Sequence, residues 1–165
     1  VNVNLQVPDI HPLLQPHDSG VCGQTCVAMA AGVSIDAAVA AVGVSSSNDE
    51  GGTFADDMVR GLQKLGVKCG QPTEYGRRGS KRLRQLPERA IMGIDGYQQH
   101  WVLLWDGFVY DPGIGWPLPV RAYEGFILDM AYSRPHRPPK KNKSRSVRSY
   151  WDTAIPIEKP PPAAV

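Results

Sequence analysis

At 165 residues the chain is long enough for one domain with a real core and too short for two comfortable ones. Its 42% hydrophobic and 21% charged residues are the composition of a soluble globular protein, and no apolar run approaches a membrane span. The formal charge of +2 is unevenly spread, because residues 1–133 hold ten Lys/Arg against fourteen Asp/Glu and residues 134–165 hold eight against two, about −4 and +6.

Val1–Ile10 shows no basic segment followed by a long apolar one, so no signal peptide is visible, although Val at position 1 leaves open whether a leader was removed. The chain has three cysteines, an odd number, which leaves at least one thiol free and favours a reducing, cytoplasmic compartment. Val1–Leu14 carries two prolines and no sustained period, which reads as an extended arm reaching the body near Val7-Pro8.

Polar and turn-forming residues (Asp18, Ser19, Gly20) stop at Cys22, where an Ala-, Met- and Val-rich run predicts a helix to Ala31, ended by Gly32. A second helix is expected from Ser34, as its cap, to Gly43, with Ile35, Val39 and Val42 on one face. Ser45–Gly52 is a polar loop. Thr53 is placed to cap a third helix through about Leu65, with Phe54, Met58, Leu62 and Leu65 as its apolar stripe and Gly66 as its stop. Val67–Leu86 is rich in Gly, Pro and basic residues and reads as a surface loop. Arg89–Ile94 is a candidate strand. After a Gly-containing turn, His100–Asp111 predicts a hairpin, Pro112–Pro119 is a stiff connection carrying Trp116, and Gly125–Tyr132 suits a last strand or a short helix. Helices first and strands afterwards predict an α+β domain, an antiparallel sheet packed on a helix layer, over residues 1–133. Residues 134–165 are basic and Pro-rich and are expected to form an irregular extension, except near Tyr150-Trp151.

If Asp106-Gly107 is the two-residue turn, residues whose numbers sum to 213 face each other: Trp105 with Phe108, Val102 with Asp111. His100 and Asp111 then share a face as diagonal neighbours, roughly 7–8 Å apart at the backbone, close enough for a side-chain hydrogen bond. Both faces are apolar, so the hairpin is expected inside the sheet. Cys22, at a helix start, has open N–H groups and the positive dipole end beside its sulfur, which favour the thiolate. Gly23 after it leaves room for a substrate backbone. An imidazole steadied by a carboxylate is the partner such a nucleophile needs.

Val7-Pro8, Gln15, Cys22-Gly-Gln-Thr-Cys-Val-Ala-Met29, His100-Trp-Val and Asp111-Pro112, in that order, resemble the C39-like branch of the papain-like cysteine peptidases. The resemblance implies a papain-like fold, Cys22 as nucleophile, His100 as general base and acid, Asp111 as the orienting acid and Gln15 as an oxyanion-hole donor. The interval from Gln15 to Cys22 is one residue longer than the family's usual spacing. The implied activity is a cysteine protease hydrolysing peptide or isopeptide bonds in a protein or peptide substrate. The same residue order occurs in papain-like transglutaminases, deamidases and acyltransferases. A non-catalytic docking domain that uses its basic tail is a third reading. The resemblance also implies the cytoplasm of a bacterium or of the host of a phage protein or effector.

Cys26 and Cys69 read as core residues, and Trp101, Trp105 and Trp116 as core and rim rather than a substrate box. The basic clusters Arg77–Arg84 and Lys140–Arg148 read as solvated surface, with an anionic partner for the tail as the lesser reading. Cys22, Cys26, His100 and Asp111 are all legal zinc ligands. Three residues between the two cysteines, at a helix start, are however the wrong spacing for a paired zinc site, so neither metal nor cofactor is expected.

Overall fold

A computed structural model describes residues 10–17, 19–43, 53–74, 86–94, 100–132 and 151–159. These build an α+β domain in the order α1 (Cys22–Ala31), α2 (Ile35–Val42), α3 (Ala55–Lys64), β1 (Thr73–Glu74), β2 (Arg89–Ile94), β3 (His100–Trp105), β4 (Phe108–Tyr110), β5 (Pro117–Pro119), α4 (Val120–Tyr132) and β6 (Trp151–Pro156). The strands form one sheet ordered β1-β6-β2-β3-β4-β5, antiparallel throughout. Among the described residues no single helix is long and apolar enough to cross a membrane.

Local chemistry sets the helix limits. Gly32 ends α1 at φ 67°, a left-handed conformation that costs a glycine little, and its N–H donates to the Ala28 carbonyl. Ser34 caps α2 by accepting the Ala37 N–H on its hydroxyl. Thr53 does not cap α3. Phe54 occupies the cap position without a side-chain bond, and the Thr53 hydroxyl donates instead to the Gln24 carboxamide 2.8 Å away. The expected stripe loses its first member too: Met58 and Leu62 are buried, joined by Val59, whereas Phe54 is 54% exposed. Gly61 lies so close to α2 that a Cβ there would sit 2.4 Å from a Val42 methyl, so the two helices touch through backbone.

The β3–β4 hairpin has the expected register: Trp105 faces Phe108, Leu104 faces Val109 and Leu103 faces Tyr110. Asp106 and Gly107 both have positive φ, 48° and 85°, the backbone of a tight turn whose twist matches the strands. The Arg89 guanidinium reaches across from β2 to Asp106 (2.7 Å) and covers the Trp105 ring. The hairpin is interior to the sheet through β3, and alternation loads the faces differently. Trp101, Leu103, Trp105 and Tyr110 pack with Ile91 and Ile155 against Cys26, Val27, Met58 and Leu62 of the helix layer. Val102, Leu104 and Val109 pack on the other face with Met92, Ala154, Trp151 and Tyr123, the last from α4.

Gly125–Tyr132 belongs to a helix that begins earlier, at Val120. The expected boundary at residue 133 does not hold. Trp151–Pro156 is an internal strand between β1 and β2, and Ile157 bridges Cys69, so the fold continues to the end of this segment. The physical reason is that β2 alternates apolar residues on both faces and needs a partner on each side, and Trp151, Ala154, Ile155 and Ile157 supply buried apolar area for it. The expected surface loop over Val67–Leu86 contributes β1 and the Cys69 bridge. Residues 1–9 of the expected arm, the loop at 45–52 and the clusters Arg77–Arg84 and Lys140–Arg148 lie outside the described residues.

Trp151 is 1% exposed, so Trp151→Ala is expected to lower the unfolding free energy by about 3–5 kcal/mol. Truncation after residue 150 should abolish cooperative urea unfolding, because it removes the strand between β1 and β2. A truncated chain that melts like the full one would show that β6 is dispensable.

Candidate active site

Cys22 is the first residue of α1, and that helix start is unusually bare. Its cap residue is Val21, no side chain accepts from the first N–H groups, and no acidic residue stands in the first turn. The open N–H groups and the positive end of the dipole therefore face whatever lies beside the Cys22 sulfur. Thr25 reinforces the first turn, its N–H and its hydroxyl both donating to the Val21 carbonyl at 2.9 Å. Gly23 has a different purpose from the one its position suggests. It is buried, and a Cβ on it would stand 2.8 Å from the Met58 sulfur and 3.1 Å from the Thr53 Cβ, so the missing side chain lets α1 close onto the start of α3.

The next residue fixes that contact. Gln24 is fully buried, donates to the Gly43 carbonyl at 3.1 Å and accepts from the Thr53 hydroxyl. The Thr53 carbonyl in turn accepts the Trp101 indole N–H at 3.2 Å. A polar line thus runs from the residue two after the cysteine to the residue one after His100. It sets helix against strand by directional bonds that apolar packing alone would leave free to slide.

His100 opens β3, opposite Ile94, and its Nε2 lies 2.7 Å from Asp111 Oδ1. Since Nε2 faces the carboxylate, Nδ1 is the ring nitrogen left for the hydrogen bond with Cys22. The Trp101 backbone N–H also donates to the Cys22 sulfur. Asp111 is 5% exposed and its oxygens are served by three donors: His100 and the Gly113 N–H (2.7 Å) on Oδ1, the Tyr123 hydroxyl (2.6 Å) on Oδ2. The turn beyond closes on the Asp111 carbonyl, which accepts from Ile114 and Gly115. Gln15 is tied to the same turn, its N–H donating to the Pro112 carbonyl at 2.9 Å, and its side-chain oxygen is buried without a protein partner. The structure thus joins Cys22, His100 and Asp111 directly and anchors Gln15 to the backbone one residue past Asp111.

The electrostatics favour charge separation. Burial pushes the Cys22 thiol up, but the hydrogen bond and positive charge of His100, with the N–H groups of Trp101 and Gly23, outweigh it and bring the thiol below its ordinary value. Burial would lower His100, yet its bonds to Asp111 and Cys22 and their negative charges push it up to about 10. Asp111, raised by burial, is held below the usual carboxylate range by His100, Tyr123 and Gly113. Cys26 lies well above the thiol range because of burial first, then the charges of Cys22 and Asp111, so it stays neutral. Both shifts run towards a thiolate–imidazolium pair and away from the neutral one.

Among the described residues no three His, Cys, Asp or Glu side chains are grouped as a metal site. Trp101 and Trp105 lie in the core, while Trp116 is 61% exposed. The residues that sequence reasoning missed are Tyr123, Gln24 and Thr53. Gln24 alone had a visible signal, as a carboxamide inside an apolar helix. No known family model matches the chain, and no curated protein matches it significantly.

Alkylation by iodoacetamide reads this pair without a substrate. Cys22 should react as a thiolate below the ordinary thiol pKa of about 8.5, in the folded protein only. Asp111→Asn removes the charge that raises His100. The imidazolium should then be lost on an alkaline limb that moves down from about 10 towards the ordinary histidine value. An unchanged profile in Asp111→Asn would show that the carboxylate does not act on the pair.

Proposed function

We propose that this chain is a papain-like thiol hydrolase that cleaves an amide bond in a peptide or protein substrate. The observation that supports it is the hydrogen-bonded line Cys22–His100–Asp111, with the sulfur at the bare start of α1. A helix whose first residue is the cysteine, laid on an antiparallel sheet whose strand opens with the histidine, is the arrangement the sequence resemblance implies.

The chemistry follows from the proton positions. Cys22 attacks the carbonyl carbon as a thiolate, and the negative charge passes to the carbonyl oxygen. The Cys22 N–H, free of an intrahelical partner, donates to that oxygen, and the Gln15 carboxamide is the second donor. His100 gives its Nδ1 proton to the leaving amine as the C–N bond breaks, while Asp111 holds the ring by Nε2. A water then attacks the thioester, His100 takes its proton, and the acid and the thiolate are released. An amine in place of that water gives acyl transfer, and a side-chain carboxamide as substrate gives deamidation. All three cysteines are unpaired, which suits a reducing compartment for a thiolate enzyme.

Incubation with a peptide library, with mass-spectrometric reading of products, separates hydrolysis from transfer. Cys22→Ala should abolish turnover and labelling by a peptidyl electrophile. Cys26→Ala, one turn deeper and fully buried, should keep both and lose about 1 kcal/mol of stability. Activity in Cys22→Ala with loss in Cys26→Ala would reverse the assignment.

A further inference from the structure

The geometry points to Tyr123 as a positioning residue that holds Asp111 against His100, so that the Cys22 site rests on four side chains rather than three. This inference rests on the reading of Cys22 as a thiolate nucleophile paired with His100. Tyr123 is 1% exposed on α4, and its hydroxyl donates to Asp111 Oδ2 at 2.6 Å. The two carboxylate oxygens are served unequally. Oδ1 has His100 and the Gly113 N–H, whereas among the described residues the Tyr123 hydroxyl alone donates to Oδ2. The carboxylate is buried, so an Oδ2 without a donor is a desolvated charge, which is relieved by turning away from His100 or by taking a proton. Either change removes the negative charge that keeps His100 as imidazolium, and the Cys22 thiolate then loses its partner.

The phenol is suited to this work. Burial and the neighbouring Asp111 charge push Tyr123 above its ordinary value, so it keeps its proton and remains a donor wherever the site is charged. Its ring is braced by Trp151 of β6 (centroids 6.2 Å apart) and by Phe126 of its own helix (6.1 Å). Among the described residues, the ionisable groups that face this cluster are Asp111 from the turn after β4, His100 from β3, and Cys22 and Cys26 from α1. Cys26 is neutral, so the charges in play are those of the three residues already named.

Tyr123→Phe keeps the ring and removes only the donor. The iodoacetamide alkylation rate of Cys22, followed against pH, should fall about tenfold at neutrality, its midpoint moving up towards that of an ordinary thiol. With a cleaved peptide in hand, kcat should fall about tenfold with KM unchanged. Phe126→Leu disturbs the packing of the same ring and leaves the hydroxyl, so its alkylation profile should match the parent. A parallel shift in Phe126→Leu, an unshifted profile in Tyr123→Phe, or a shift to lower pH would each overturn the proposal, the last by showing that the hydroxyl merely dilutes the Asp111 charge. If Tyr123→Phe does not fold, the unmodified protein carries a second readout. The Tyr123 hydroxyl proton should give a downfield, slowly exchanging resonance that moves when Cys22 is alkylated, and a resonance that stays in place overturns the coupling. An alkylation shift as expected in a protein that cleaves no peptide would leave the Tyr123 assignment standing and remove the hydrolase reading instead.

Discussion

A buried carboxylate has to be surrounded by donors, and much of the site can be derived from that requirement at Asp111. Desolvation alone would favour its protonated form. The chain answers with an imidazole from β3, a backbone N–H from the turn that follows Asp111, and a phenol from α4, all at 2.6–2.7 Å. Each donor is delivered by a different element, so the charge can be held only when hairpin, turn and helix are all in place. The ionised carboxylate then raises His100, and the raised His100 lowers Cys22. The electrostatics at the sulfur are thus coupled to a carboxylate two side chains away.

The second requirement is that α1 stop at the right place along β3. The apolar contacts between the helix layer and Trp101, Leu103 and Trp105 attract but do not set a register. Gly23 permits the close approach to Thr53 and Met58, and Gln24, Thr53 and the Trp101 indole convert it into a fixed one. Residues 23–24 and 101 are each next to Cys22 or His100 or one further on. The precision with which that pair is placed is therefore built into the same short segments that carry it.

Local patterns in the sequence were sufficient wherever the deciding physics was local. Gly32, Ser34 and Asp106-Gly107 fix chain direction through their own backbone, and the period of two in a strand then brings His100 and Asp111 to one face. Thr53 misled because its hydroxyl had a better partner in Gln24 than in its own helix, a tertiary choice no propensity scale contains. Gly23 misled for the same reason, its neighbours Met58 and Thr53 being thirty or more positions away. The strand at Trp151–Pro156 follows a basic, Pro-rich stretch whose composition masked it, and only the unmet pairing of β2 demands it. Tyr123 could be read as a helix residue and no more, since its partner is known only once the turn after β4 has placed the Asp111 oxygens.

The two faces of the sheet divide the work, and this explains why a strand from the far end of the chain is needed by a site near its beginning. The helix-layer face carries Cys22 through α1, and the opposite face carries the Asp111–Tyr123 pair through Trp151 and α4. Among the described residues, His100, at the first position of β3, is the side chain bonded to both parties. A strand that mediates between two faces cannot lie at an edge, where it could shift without breaking a full ladder. β3 is paired over six residues with β2, and β2 is secured on its other side by β6. Loss of β6 would leave Cys22, His100 and Asp111 in the chain and still loosen their arrangement twice, through the β2 ladder under His100 and through the Trp151 ring behind Tyr123.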